Sequence, residues 1–372
     1  MSDAELRARR WCAQGLESGA GAGAEPLAGP PAGVSPADVV GRVLAVQAQD
    51  LRAARRALRA RSPGLVARDV DAALSRDRSL VVTWLVRGTL HLVRPDDLPW
   101  LHALTAATRL ATSRRRLGQE GVPPDDADRA VTTVERALAD AGPLTRSELA
   151  VRIARAGIRT EGQATPHILM LAALRGLVVL APVGEDGAHA FALWRDWLGS
   201  PAPAALEGAA RAAALARLAR RYLGGHGPAG DADLARWSGL PLRDARAGLR
   251  AIGGELTELG GGRVDLAIRA AAPPPPAPAP RLLGAFDPYV LGWRDRGFLV
   301  APEHARRVHP GAGILRAAAT AGGRAVGTWT ARRSGARLTV EIDPFAPLDA
   351  TVETALRADA ADVARFEGLE LA

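Results

Sequence analysis

GPLTRSELAVRIARAG at residues 142–157, PHILMLAALRGL at 166–177 and LVVLAPVGEDGAHAFAL at 177–193 read in succession as a capped helix, a second helix and two strands around a Gly-Asp turn. Helix, turn, helix and a two-stranded hairpin form the outline of a winged-helix unit, whose second helix can enter a DNA groove. The same order recurs downstream in GPAGDADLARWSGL (227–240), PLRDARAGLRAIGG (241–254) and the short strands of ELTELGGGRVDLAI (255–268). Upstream a longer copy runs through SPADVVGRVLAV (35–46), DLRAARRALRAR (50–61), ARDVDAALSRD (67–77) and the strand pair SLVVTWLVRGTLHLV (79–93), turning near Arg87 and Gly88. Three such units in tandem are therefore expected.

Two breaks flank the repeats. Residues 16–35 are Gly, Ala and Pro punctuation, too poor in periodic apolar residues to be an element. The GAGAGA within them superficially looks like a phosphate loop, but no strand precedes it and no helix pattern follows, so it reads as linker. AAAPPPPAPAP at 270–280 cannot continue a helix or a central strand and should separate residues 281–372 from what precedes. Beyond it, residues 313–345 alternate and turn at Gly-Gly and Ser-Gly like a β-meander, followed by a helix near 349–368. The expected fold is α+β: an N-terminal arm and linker (1–35), winged-helix units at 36–125, 126–204 and 205–272, a Pro-rich linker (273–280), and a C-terminal β-rich, barrel-like domain (281–372).

Composition narrows the function classes. A chain of 372 residues with 48% apolar residues exceeds one core and should form two to four domains. Its formal charge of +8 rests on arginine alone, because the chain has no lysine. Such a bias fits GC-rich coding as well as nucleic-acid binding, although arginine is the side chain best shaped for bidentate phosphate contact. Cys12 is the single cysteine, which excludes an internal disulfide or a thiolate metal cage and fits a reducing cytoplasm. The seven histidines, His91 among them, show no metal-ligand spacing, and neither a membrane span nor a signal peptide is expected. There is no Ser nucleophile elbow or P-loop.

VLAVQAQDLRAARRALRAR at 43–61 carries the chemical question. On a continuous helix, residues two apart point about 200° from each other, so Gln47 and Gln49 would not share a site. Ser35-Pro36 reads as a cap and first-turn proline, and Asp50 as the N-cap of the next helix. Residues 46–49 are then an extended joint, with Ala48 inward and both amides outward together. On spacing alone two readings stay open: the amides satisfy backbone groups at the joint, or they serve one site.

QAQ before an acidic residue and an Arg-rich helix, RGTLH at 87–91, and FDPYVLGWRDR at 286–296 together resemble the winged-helix DNA glycosylase family, in its AlkZ-like branch, over roughly residues 36–345. In that family a glutamine, an apolar residue and then glutamine or aspartate form the catalytic motif. The resemblance thus implies Gln47 and Gln49 as catalytic residues, with Asp50, Arg87 and His91 supporting the site. It implies an enzyme that hydrolyses the N-glycosidic bond of N7-alkylated purines in double-stranded DNA. With no lysine to form a Schiff base at C1′, and only an N-terminal amine on the arm left for it, that enzyme is expected to be monofunctional. No cofactor or metal is expected, and it should act as a monomer in the cytoplasm or on the nucleoid. The implied role is repair of, or self-resistance to, a genotoxic natural product of the azinomycin, trioxacarcin or pluramycin kind. Arg52 and Arg55 on the helix and Arg332, Arg333 and Arg337 around the Ser-Gly turn are the expected DNA contacts. Asp287, Arg294 and Asp295 are expected as an ion-pair network fixing the last domain to the winged helices. A non-catalytic winged-helix transcription regulator is the alternative; it would need base-reading contacts and usually a dimerising helix, which nothing here marks.

Overall fold

A computed structural model of the chain describes residues 1–17, 34–183 and 189–372. The GAGAGA stretch and the Gly-Asp turn lie outside the described residues. The architecture is mixed α+β and divides into two compact units. One comprises Met1–Val70, Ala216–Trp237 and Pro241–Ala372; the other comprises Asp71–Leu215 and Ser238–Leu240. This division runs across the expected segments: residues 36–125 contribute to both units.

The first unit begins with α1 (Asp3–Ala13), capped by Ser2 and buried through Leu6, Trp11 and, unusually, Arg9 and Arg10. What the sequence presents as an arm is thus a packed helix. Its burial rests on residues far along the chain: the Arg10 guanidinium lies 4.5 Å and 4.4 Å from the rings of Trp293 and Phe298 and donates to the Pro228 carbonyl. Burial lowers the Arg10 pKa to about 10, with Asp233 opposing the shift. α2 (Pro36–Val43) and α3 (Leu51–Arg59) follow. Later in the chain come helices Asp231–Ser238 and Leu242–Ala251 and the antiparallel pair Leu256–Glu258 and Val264–Leu266, the elements expected of the third repeat.

An open five-stranded sheet closes this unit. Its order is Glu370–Leu371, Arg337–Pro344, Arg324–Ser334, Ala318–Ala321, Arg281–Leu283, antiparallel except for the first pair. The meander turns where expected, at Gly322-Gly323 and at Gly335, all with positive φ that glycine adopts without a Cβ clash. Helix Ala350–Phe366 covers one face, burying Leu356, Ala360 and Val363 against Leu282, Trp329 and Leu338. The Pro-rich stretch carries no helix or strand, yet its two sides belong to the same unit. Proline interrupts hydrogen-bond ladders, but it does not prevent flanking segments from packing.

In the second unit, strands Val81–Trp84 and Leu90–Val93 pair from Val81↔Val93 to Trp84↔Leu90, joined by a 3-10 turn at Val86–Gly88. Val81–Trp84 also pairs with Val178–Val183, which continues to His189–Leu193 and then to Leu144–Thr145, all antiparallel. Helix Arg146–Arg155 starts with a reciprocal Thr145–Glu148 capping box. Helix Ala164–Leu174 is apolar nearly all round and buries Ile168, Leu169, Leu171 and Ala172 completely, as an interior helix must.

Candidate active site

The glutamine pair owes its position to how α2 ends and α3 begins. Ser35 and Asp38 form a capping box with Pro36 in the first turn, so α2 has a fixed start. It stops at Leu44, where φ 68 and ψ −42 with an Ala45 N–H to Val43 carbonyl bond of 2.9 Å make a γ-turn. A leucine there is strained, and its complete burial holds it in place. Gly225 passes so close to this end that a Cβ would meet the Arg42 carbonyl oxygen, which is why no side chain fits there. The chain then runs extended through Val46 and Gln47, and Asp50 caps α3 by accepting from the Ala53 N–H at 3.1 Å.

Ala48 is buried and the two amides meet on the other side. Gln47 Nε2 donates to Gln49 Oε1 at 3.0 Å, with Gln47 only 8% exposed and Gln49 exposed. A fixed amide partner removes rotamer freedom from Gln49 while leaving its NH2 group and a carbonyl lone pair for a small molecule such as water. Neither amide titrates, so this arrangement can offer orientation and dipole but cannot take a full proton.

α3 presents two kinds of arginine. Arg52 is exposed and Arg55 half-exposed, whereas Arg59 is buried against Asp359 (2.8 Å) and Asp362 (3.3 Å) and donates to the Leu282 carbonyl. Burial opposes the Arg59 charge, but the two carboxylates outweigh it and its pKa stays above the ordinary arginine value. Arg56 pairs with Glu367 at 2.6 Å. Arg61, just past the helix, makes a two-pronged contact with Asp287 (2.8 and 2.9 Å) and donates to Gln14 Oε1, while Gln14 Nε2 reaches the Gly225 carbonyl. The helix that follows the glutamines is thereby tied at several points to the C-terminal sheet, its helix and α1. No sequence spacing signals these pairs, because their partners lie some 300 and 226 positions away for Arg59 and Arg61.

Within FDPYVLGWRDR the roles divide. Asp287 is buried, holds Arg61 and caps the Tyr289 N–H; Tyr289 and Trp293 are buried, with their polar atoms on the Gly323 and His226 carbonyls. Arg294 and Asp295 lie exposed: the Arg294 N–H donates to Asp233 at 2.9 Å, and Asp295 accepts from the Gly297 N–H. The three residues do not form one ion-pair network; Asp287 forms its pair with Arg61 instead.

In the second unit, Arg87 and His91 form a local assembly. Arg87 sits at φ 57 in the turn, beside Gly88 at φ 73. His91 is 1% exposed; its Nδ1 lies 2.9 Å from the Thr89 carbonyl and its Nε2 3.2 Å from the Arg87 guanidinium. Those partners fix a neutral ring, Nδ1–H donating and Nε2 accepting. Burial first, and the Arg87 charge second, lower its pKa to about 3. His91 therefore cannot serve as a proton donor near neutrality; it holds Arg87.

The strand turn at Ser334-Gly335 places Arg332, Arg333 and Arg337 on an exposed tip. Arg332 reaches Glu341 at 3.3 Å and Arg333 Nε reaches the Gly335 carbonyl, both solvent-exposed contacts that hold little energy. No group of three or more His, Cys, Asp or Glu residues able to hold a metal ion occurs among the described residues.

Comparison with known proteins identifies relatives of the chain. The chain is 31% identical over 356 residues, 90% of its length and 91% of the relative's, to an interstrand DNA cross-link repair glycosylase of Streptomyces sahachiroi. The solved structure of the Streptomyces sahachiroi DNA glycosylase AlkZ superposes with a TM-score of 0.76 at 29% identity, covering 100% of this chain and 99% of that one. A family model described as DNA glycosylase AlkZ-like matches residues 40–366, so that the chain carrying this glutamine pair belongs to the AlkZ-like DNA glycosylase family.

Proposed function

We propose that this glycosylase hydrolyses the N-glycosidic bond of N7-alkylated purines in duplex DNA, with Gln47 and Gln49 orienting the attacking water. The observation that supports this most is the 3.0 Å bond between the two amides at a rigid joint, without a carboxylate of either residue type between them. A purine alkylated at N7 is cationic, so its bond to C1′ already has a good leaving group and needs little acid assistance. What remains is to hold a water and to stabilise an oxocarbenium-like sugar, and oriented carbonyl dipoles can do both. An amide pair is a weak general base and so selects labile cationic bases over unmodified ones.

In this reading the three helix–helix–hairpin repeats are winged-helix units and the C-terminal sheet a barrel-like platform. Arg52, Arg55, Arg332, Arg333 and Arg337 contact phosphates or the groove, Asp50 fixes the joint, and Arg87, held by His91, supports the site. The enzyme acts as a monomer in the cytoplasm or on the nucleoid, in repair of or self-resistance to a genotoxic natural product. The relative named for interstrand cross-link repair extends this expectation to crosslinks as well as monoadducts.

Glycosylases that cut the strand commonly use an amine to form an imine at C1′; this chain has no lysine and only its N-terminal amine could serve, so the proposed enzyme is monofunctional. Duplexes carrying different N7-guanine adducts should release the free modified base, detected by mass, and leave an intact abasic strand. Borohydride present during turnover should trap no protein–DNA adduct. Release of no base from any adduct would refute the substrate class, and a trapped adduct would refute direct water attack.

A further inference from the structure

We propose that the groove between helices Ala107–Gln119 and Ala164–Leu174 is a phosphate subsite, holding a backbone phosphate of the DNA strand that flanks the Arg87–His91 segment. The inference rests on the chain acting on duplex DNA, as argued above. The groove is a cavity of about 340 Å³ lined by Thr112, Ser113, Arg115, Arg116, Gln119, His167 and Met170. Thr112, Arg115, Arg116 and Gln119 recur at i, i+3, i+4 and i+7 and so share one helix face, with His167 and Met170 facing them from the second helix.

Three features point to an oxyanion. Ser113 is 2% exposed, yet its Oγ has no hydrogen-bond partner, although a helical serine commonly turns its hydroxyl back to the carbonyl four residues earlier. Leaving a buried hydroxyl unsatisfied costs on the order of 1–3 kcal/mol, a cost that a ligand oxygen would remove. Arg115 is exposed and makes no ion pair among the described residues. The groove's other side chains offer donors: the Gln119 carbonyl already accepts from Arg116, which leaves its NH2 group, and Thr112 adds a hydroxyl. The nearby carboxylate of Glu120 is committed to Arg116 at 3.0 Å and to the Gln163 N–H at 3.3 Å. No carboxylate lines the groove, so it offers a cation no charged partner. His167, whose pKa burial and then Arg116 lower, adds an uncharged ring.

The groove also lies beside the RGTLH turn. A Cβ on Gly88 would stand 3.1 Å from the Met170 Cε and 3.8 Å from the Arg109 Cδ, and Arg109 donates to the Gly239 carbonyl. A strand passing Arg87 would bring a neighbouring phosphate to these donors, which carry position and no sequence information.

Equilibrium binding of the full chain to an unmodified duplex, measured against KCl concentration, tests the assignment. Arg115→Gln should weaken binding by about tenfold at low salt and reduce the log-log salt slope by about 0.9, the value for one phosphate contact. Arg115→Lys should restore the slope. Ser113→Ala should weaken binding by about tenfold, the size of one hydrogen bond to a charged acceptor, and leave the slope as in wild type. Inorganic phosphate at matched ionic strength should compete with DNA for the wild type more than for Arg115→Gln. Wild-type affinity and slope in both Arg115→Gln and Ser113→Ala would overturn the proposal. A chain that shows the Arg115→Gln slope change but releases no modified base would contradict the function proposed above and not the groove.

Discussion

Two arginine clusters of the first unit look alike in sequence and differ in everything else. Arg56, Arg59 and Arg61 follow the glutamine pair, and Arg332, Arg333 and Arg337 surround a strand turn. The first cluster is spent internally: Arg59 and Arg61 have side chains 0% and 1% exposed, each against a carboxylate from the C-terminal segment. The second lies in water, and its one ion pair among the described residues has side chains 78% and 65% exposed. Buried charge of the first kind is costly to disturb, because removing one partner leaves the other stranded. Exposed charge of the second kind contributes little to folding and remains available to a polyanion. A net charge of +8 is thus a poor measure of the DNA-binding surface, since part of the arginine content is structural cement.

The largest effects should come from the buried cluster. Asp359→Ala leaves Arg59 with Asp362 alone, takes the paired carboxylate from Arg281 and removes the acceptor of the Leu282 N–H, so denaturant unfolding should show a loss of about 3–5 kcal/mol. Asp287→Ala should cost a similar amount by stranding Arg61. A loss under about 1 kcal/mol in both would erase the distinction between the clusters.

Changing Arg332, Arg333 and Arg337 together to Gln should do the reverse. Stability should stay within about 0.5 kcal/mol of wild type, while duplex binding weakens and its salt slope falls by up to about 2.7, at about 0.9 per phosphate contact. An unaltered slope would place the hairpin away from DNA.

A third prediction concerns pH. The His91 pKa of about 3 lies below the ordinary value of 6.5, so the unfolded chain takes up this proton before the folded one does. The ring's contribution to stability is therefore fully present above pH 6.5 and declines as pH falls from there toward 3, with a slope of about 1.4 kcal/mol per pH unit for this one group. In the folded protein, the His91 imidazole resonances should not shift between pH 8 and 5, and excision should show no inflection from this ring in that range. An inflection near pH 6.5 that disappears in His91→Gln would assign it a proton-transfer role.

The smallest effect is expected at Arg294. Its side chain is exposed and its known bond is through the backbone N–H, so Arg294→Ala should change stability by less than about 0.5 kcal/mol. A loss approaching that of Asp287→Ala would restore Arg294 to the interdomain network.

The contrast also explains what was legible in the sequence. Local signals were sufficient for elements whose cause is local: the Ser35-Pro36 cap, the Asp50 cap, the turns at Arg87-Gly88, Gly322-Gly323 and Ser334-Gly335, and the helix–helix–hairpin order. The extended joint that puts Gln47 and Gln49 on one side follows from the same caps. The γ-turn at Leu44 was not legible, because leucine at positive φ leaves none of the Gly or Asn signature that such a backbone usually carries. α1 was missed for a different reason. A helix with Arg7, Arg9 and Arg10 reads as solvent-facing until Trp293, Phe298 and Asp233 supply an aromatic and acidic lining for Arg10. The fate of each arginine on α3 was hidden in the same way, by carboxylates whose distance along the chain leaves no pattern.

The central claim is that two uncharged amides, held to each other, carry the water step. The direct test is single-turnover excision of an N7-alkylguanine from duplex bound by a saturating excess of protein, compared between wild type, Gln47→Ala, Gln49→Ala and the double variant. Excision should fall at least about a hundredfold in each single variant, roughly 2.7 kcal/mol of barrier, with duplex affinity and unfolding midpoint nearly unchanged. The double variant should be little worse than either single one, because the pair acts as a unit. A double variant that excises at the wild-type rate would contradict the claim.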